Sequence, residues 1–135
     1  MANALYGKAK EGFATGAIDW TGDDIKLALI DDADYTVAIN TDQYLSDIPA
    51  GARVATSSNF TSKTATLGAC DADDVVLTSV TGDPSECIAI YQDTGTASTS
   101  RLIAYLDTDT GGAISFTPAG DTLTIRWNAA AIFTL

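Results

Sequence analysis

Histidine is absent from all 135 residues, and this absence removes more chemistry than any residue present suggests. Without it there is no Ser-His-Asp or Cys-His catalytic arrangement and no imidazole to hold a metal. Bases are scarce as well: seven lysines and arginines, scattered along the chain, form no phosphate clamp. G-x-S-x-G, C-x-x-C and a glycine-rich loop ending in Lys-Ser/Thr are all missing. Glutamate occurs only as Glu11 and Glu86, so a glycosidase pair of carboxylates would have to be drawn almost wholly from aspartates. No motif converges on a reaction, and the chain reads as non-enzymatic, with no cofactor assigned.

Long apolar runs are lacking too. None approaches the roughly 20 residues of a membrane helix. The opening MANALYGKAKEGF has Lys8 and Lys10 with no apolar stretch behind them, so it does not read as a secretory signal, and synthesis in a cytoplasm is expected. Cysteine is limited to Cys70 and Cys87, too few for a disulfide scaffold. If the runs around Val75–Val80 and Cys87–Tyr91 form a hairpin across TGDPS, Cys87 stands opposite about Ser79 and away from Cys70. Both thiols are expected reduced, Cys87 as a small core residue.

What is present is acid, β-branched residues and turn formers. Eighteen acids against seven bases give a net charge of −11, a field that repels nucleic acid and anionic membranes and makes neither an expected partner. Nearly all the acids are aspartate, which favours turns and caps over helix interiors and so places the charge in loops. With 46% hydrophobic and 19% charged residues, the composition is that of one globular domain over 1–135, long enough to bury a core.

Only one segment has helical period. In ALYGKAKEGFATG, Leu5, Ala9 and Phe13 recur every four residues and Gly16 offers a stop, which predicts a helix over about 3–15, weakened by Gly7 and Gly12. TDQYLSDIP adds one short turn with Thr41 as its cap and Pro49 at its end. From about residue 25 to the C-terminus the reading is strands. IKLALI sets Ile25, Leu27 and Leu29 on one face. CIAIY and LIAYL are apolar on both faces, as in central or covered strands. TLTIRW alternates, with Leu123, Ile125 and Trp127 inward. Short strands punctuated by TGDD, DDAD, TGDP, DTGG and PAGD predict a mainly β single domain, a sandwich or barrel, with one short N-terminal helix. QDTGTASTS reads as a protruding hairpin tip or interaction loop, and IFTL as a final strand.

Two acid clusters, Asp31/Asp32/Asp34 and Asp71/Asp73/Asp74, offer the oxygens calcium prefers, but neither fits the EF-hand frame. Counting from Asp32, the first has Gln43 where glutamate is needed, and counting from Asp71, the second has Val76 where glycine is needed. They read as solvated turns, and no metal is assigned. Trp20 and Trp127, with five tyrosines, supply the aromatics of a sugar platform, although Trp127 lies on the inward face of its strand and reads first as core.

MANALYGKAKEGFATGAIDW, IKLALIDDADYT and QYLSDIPAGARVATS, followed by SKTATLGACDADDVVLTSV, AIYQDTGTASTSRLIAYLDT and GDTLTIRWNAAAIFTL, resemble in the same order a family of small virion proteins of tailed bacteriophages and prophages. The resemblance covers nearly the whole chain and carries no catalytic motif. It implies a structural virion component, foremost a capsid decoration (cement) protein that contacts the major capsid protein and copies of itself, as a homo-oligomer on the capsid surface. A tail-tube or tail-associated subunit is the alternative within that class, and a carbohydrate-binding adhesion module the alternative outside it. The apolar ends, Leu5, Tyr6, Phe13, Trp20, Ile132, Phe133 and Leu135, are then the candidate partner contacts, unless they complete the chain's own core.

Overall fold

The apolar runs assemble around one strand, CIAIYQ, whose neighbours on both sides are equally apolar. A computed structural model describes residues 3–135. In chain order its elements are β1 (Ala4–Leu5), α1 (Gly7–Thr15), β2 (Ile25–Ile30), β3 (Arg53–Thr56), β4 (Thr64–Thr66), β5 (Ala69–Asp71) and β6 (Val75–Leu77). There follow β7 (Cys87–Gln92), β8 (Leu102–Leu106), β9 (Thr108–Asp109), β10 (Gly112–Ala113), β11 (Leu123–Ile125) and β12 (Phe133–Thr134). Short 3₁₀ turns lie at Leu45–Asp47 and Ala50–Ala52.

β1, β8, β7, β2 and β3 form, in that order, an antiparallel five-stranded sheet. Its register puts Leu29, Ile88 and Leu106 on one face and Ala28, Ala89 and Tyr105 on the other. Both faces are covered. Leu27, Ile90, Leu102 and Ile103 are fully buried, each side chain contributing about 1.5–3 kcal/mol relative to exposure. Over the second face the rings of Tyr6 and Tyr35 lie 6.5 Å from Tyr105. The remaining strands make three small sheets, β10-β9, β11-β6 and β12-β5-β4. The protein is thus a mainly β, multi-sheet single domain with one short helix. Its sheets are open and none closes into a barrel, because each small sheet ends after two or three strands. Among the described residues no helix is long and apolar enough to cross a membrane.

Several local expectations are corrected. The helix begins at Gly7 and not at residue 3, because Ala4 and Leu5 pair with Tyr105 and Ala104, and the Tyr6 amide donates to Ile103 O at 3.0 Å. Sheet pairing near the N-terminus outcompetes the helical period. Gly12 serves packing: a Cβ there would stand 2.7 Å from Ile18 Cδ1. The turn at Leu45–Asp47 is organised by Asp47, whose carboxylate accepts from the Gln43 and Tyr44 amides at 2.8 and 2.9 Å, and not by Thr41.

The TGDPS hairpin does not form. β6 pairs with β11 and β7 pairs with β2 and β8, so Cys87 stands opposite Ile30. Residues 92–100 do join β7 to β8, but they are docked and do not protrude. Ser100 O and Ala97 O accept from the Leu45 and Ser46 amides at 2.8 and 3.1 Å. The Arg101 guanidinium lies 5.6 Å from the centre of the Tyr44 ring. Leu123, Ile125 and Trp127 face inward as the alternation predicts, but only to half-burial.

Candidate interaction surface

The chain ends converge. β12 pairs with β5, Phe133 opposite Cys70 and Thr134 opposite Ala69, and the amides of Ile132 and Leu135 donate to Cys70 O and Gly68 O at 2.9 Å each. IFTL is therefore a last strand in the chain's own sheet. The Phe133 ring lies 5.1 Å from Trp20 and 6.0 Å from Phe13 of α1, which brings the helix and the final strand together. The helix is stopped there by Gly16 at φ 78°, a left-handed conformation that costs glycine little.

Of the seven candidate contact residues, two are enclosed. Tyr6 is fully buried, its hydroxyl 3.0 Å from that of Tyr35, which donates to Asp42 at 2.6 Å. Burial raises both tyrosine pKa values well above the ordinary range. Trp20 is also buried, its indole N–H donating to Asp71 O at 3.1 Å. The other five, Leu5, Phe13, Ile132, Phe133 and Leu135, meet along one surface. Leu5, Phe13, Ala14, Thr134, Leu135 and Lys10 line a groove of about 600 Å³ between α1 and β12. A second recess of about 430 Å³ shares Leu5, Lys10 and Thr134 and continues past Phe133 and Ile132 to Leu106.

Charge sets this surface apart. Among the described residues no acidic side chain lines either recess, and Lys10 is the one ionic side chain along them, in a chain of net charge −11. Other bases have partners elsewhere: Lys8 pairs with Glu11 at 3.0 Å, Lys26 with Asp93 at 2.9 Å, and Lys63 donates to the Asp23 carbonyl. Sequence reasoning passed over Lys10, Ala14 and Leu67. Leu67 and Gly68 form the two-residue turn between β4 and β5, and the readable signal was Leu-Gly between TAT and ACD.

The acid clusters separate. Asp71, Asp73 and Asp74 hold the tryptophans: Asp71 O and Asp73 O accept the indole N–H groups of Trp20 and Trp127, and the Asp74 carboxylate accepts the Trp127 amide at 3.0 Å. Asp31 stands at the centre of two trios, one with Asp32 and Glu86 and one with Asp34 and Asp83, the oxygens of each within 4.8 Å of one another. Asp83 and Glu86 come from far along the chain and were not legible beside Asp31. Asp31 already caps the Ala33 amide at 3.0 Å and Glu86 the Asp32 amide at 3.1 Å. Carboxylate oxygens of both trios are thus already engaged with backbone amides, and no ion is assigned. Cys70 and Cys87 are free and buried, and burial pushes the Cys87 thiol up to about 11.

A third recess, about 530 Å³, runs between the main sheet and the C-terminal segments, lined by Ile88, Leu106, Ile114, Ile125 and Trp127. Trp127 is fixed there by its bond to Asp73 O at 3.1 Å and by the Phe60 ring at 5.7 Å. No protein-family model matches this chain, and no curated protein is significantly similar to it.

Proposed function

We propose that the chain is a non-enzymatic structural component of a tailed-phage virion, a capsid decoration protein that stabilises the head shell by contacts with the major capsid protein and with its own copies. The observation that carries this reading is the convergence of Leu5, Phe13, Ile132, Phe133 and Leu135 on one acid-free apolar surface of a strongly acidic domain. A protein that coats a lattice needs adhesive surface of this kind, while its remaining charge keeps it apart from packaged nucleic acid. The resemblance of its segments, in their order, to small virion proteins points to the same assignment. The architecture is read as sandwich-like, the five-stranded sheet forming one layer and the small sheets the other.

Heads and tails purified separately from a phage encoding the chain test the assignment, with the chain quantified in each by mass spectrometry. High copy on heads, in simple ratio to the major capsid protein, is expected. Enrichment in tails would transfer the surface to subunit packing along a tail, and absence from both would remove the virion role altogether.

A further inference from the structure

Leu67 is the most exposed large apolar residue among those described, at 98%, and it occupies an unfavourable backbone conformation. Its φ is 53° and that of Gly68 is 82°, so both central residues of the β4–β5 hairpin turn are left-handed. Asparagine, aspartate and glycine suit the first of these positions, whereas a leucine Cβ crowds the following carbonyl. With its side chain almost wholly in solvent, Leu67 gains no burial within the fold to offset that strain.

We propose that the face bearing Leu67 and the groove between α1 and β12 is a self-association surface, on which the Leu67 side chain of each of two copies enters the groove of the other. The inference rests on the reading of the chain as a multicopy protein. Three observations select a second copy as the occupant. The projecting leucine and the groove are adjacent: Gly68, next to Leu67, accepts the amide of the groove residue Leu135 at 2.9 Å. A two-fold contact needs such a pairing, because each copy must present both the projection and its receptacle on one face. The groove itself is apolar, formed by Leu5, Phe13, Ala14 and Leu135.

Charge supplies the third. Two copies of net charge −11 repel wherever their carboxylates face each other, and among the described residues this groove has no acidic side chain. A basic partner would instead be steered to the aspartate-rich remainder and away from Lys10. Left-handed strain at an exposed leucine is the local mark of a residue kept for a contact outside the fold.

Sedimentation of the purified full chain from about 1 μM to about 1 mM tests this. A concentration-dependent dimer is expected. Leu67→Asn should weaken its dissociation constant at least about tenfold, as loss of a central apolar anchor does. The same substitution should raise the melting temperature, measured at low micromolar concentration where copies are apart, because asparagine relieves the turn. Ala14→Arg, on the exposed groove wall, should weaken the dimer without that gain. Val76→Asp, at an exposed apolar site that does not line the groove, should leave the dissociation constant unchanged. A chain that stays monomeric across the range overturns the proposal, as does a dimer whose constant is unchanged by Leu67→Asn and Ala14→Arg. Failure of the virion reading is separable: it is decided by the content of purified heads and tails and leaves the solution dimer standing.

Discussion

The five-stranded sheet and the small sheets laid beside it are made of similar residues but are held together differently. In β2, β7 and β8 every position except Lys26, Gln92 and Leu106 is buried, and the strands run five or six residues long. In β11 and β12 no residue is buried, and the ladders are two or three residues long. The small sheets depend on individual anchors: the two indole bonds to Asp71 O and Asp73 O, the Phe133 ring against Phe13 and Trp20, and single backbone bonds such as Val80 N–H to Asp121 O at 3.0 Å. The recess of about 530 Å³ between the two regions has Ile125 and Trp127 on one side and Ile88 on the other, which leaves the C-terminal residues half-buried. A continuous sheet distributes its stabilisation, whereas an anchored layer concentrates it, so the second opens locally at lower free energy.

Truncation separates the two regions most sharply. Ile90→Ala, at a fully buried position of the central strand, should cost about 2–5 kcal/mol in chemical denaturation, and Ile125→Ala in β11 less than half as much. Equal costs would erase the distinction. Hydrogen exchange should follow the same order, with β7 amides exchanging only on global unfolding and those of β11 and β12 exchanging sooner.

Removing one hydroxyl tests the polar side of the main sheet. Tyr35→Phe takes away the donor to Asp42 and the partner of Tyr6 OH, both beneath the sheet, and should cost about 1–3 kcal/mol. An unchanged denaturation midpoint would mean that the hydroxyl chain adds nothing to ring packing. Alkali should act here before it acts on the small sheets. Burial raises Tyr6, Tyr35 and Tyr105, and holds Tyr91 up to about 12 and Cys87 up to about 11. Groups raised on folding stabilise fully below their unfolded values, and that contribution is lost as pH rises toward the folded ones. Stability should therefore fall above about pH 9–10, with the tyrosinate absorbance of Tyr6, Tyr35, Tyr91 and Tyr105 appearing only as the sheet unfolds.

The smallest effect concerns Asp93, whose carboxyl is held below its ordinary value first by the hydrogen bond from Lys26. A depressed carboxylate contributes above its unfolded value and loses that contribution as pH falls through the folded one. Lys26→Met should thus cost a few tenths of a kcal/mol at pH 7 and nothing at pH 2, since the pair is partly exposed. A constant difference across that range would assign the effect to packing of the lysine stem.

By itself the sequence determined the elements whose own side chains carry the signal. IKLALI, CIAIY and LIAYL are apolar on both faces, and an extended chain of that composition is driven to the middle of a covered sheet by burial alone. TLTIRW announced its inward face by alternation, and IFTL its strand by apolar residues that water disfavours. Tertiary structure decided the rest, because the deciding forces act between residues distant in sequence. Ala4 and Leu5 left the helix because the edge of β8 offered ladder bonds about a hundred residues away. Cys87 faces Ile30 because β6 pairs with β11 and β7 with β2, so no hairpin joins β6 to β7. Tyr6 and Trp20 turned inward, while Leu5, Phe13 and Leu135 were left around a groove with Lys10. Period marks an apolar face, but which side chains remain at the surface depends on what folds over them, and that is settled only when the chain closes.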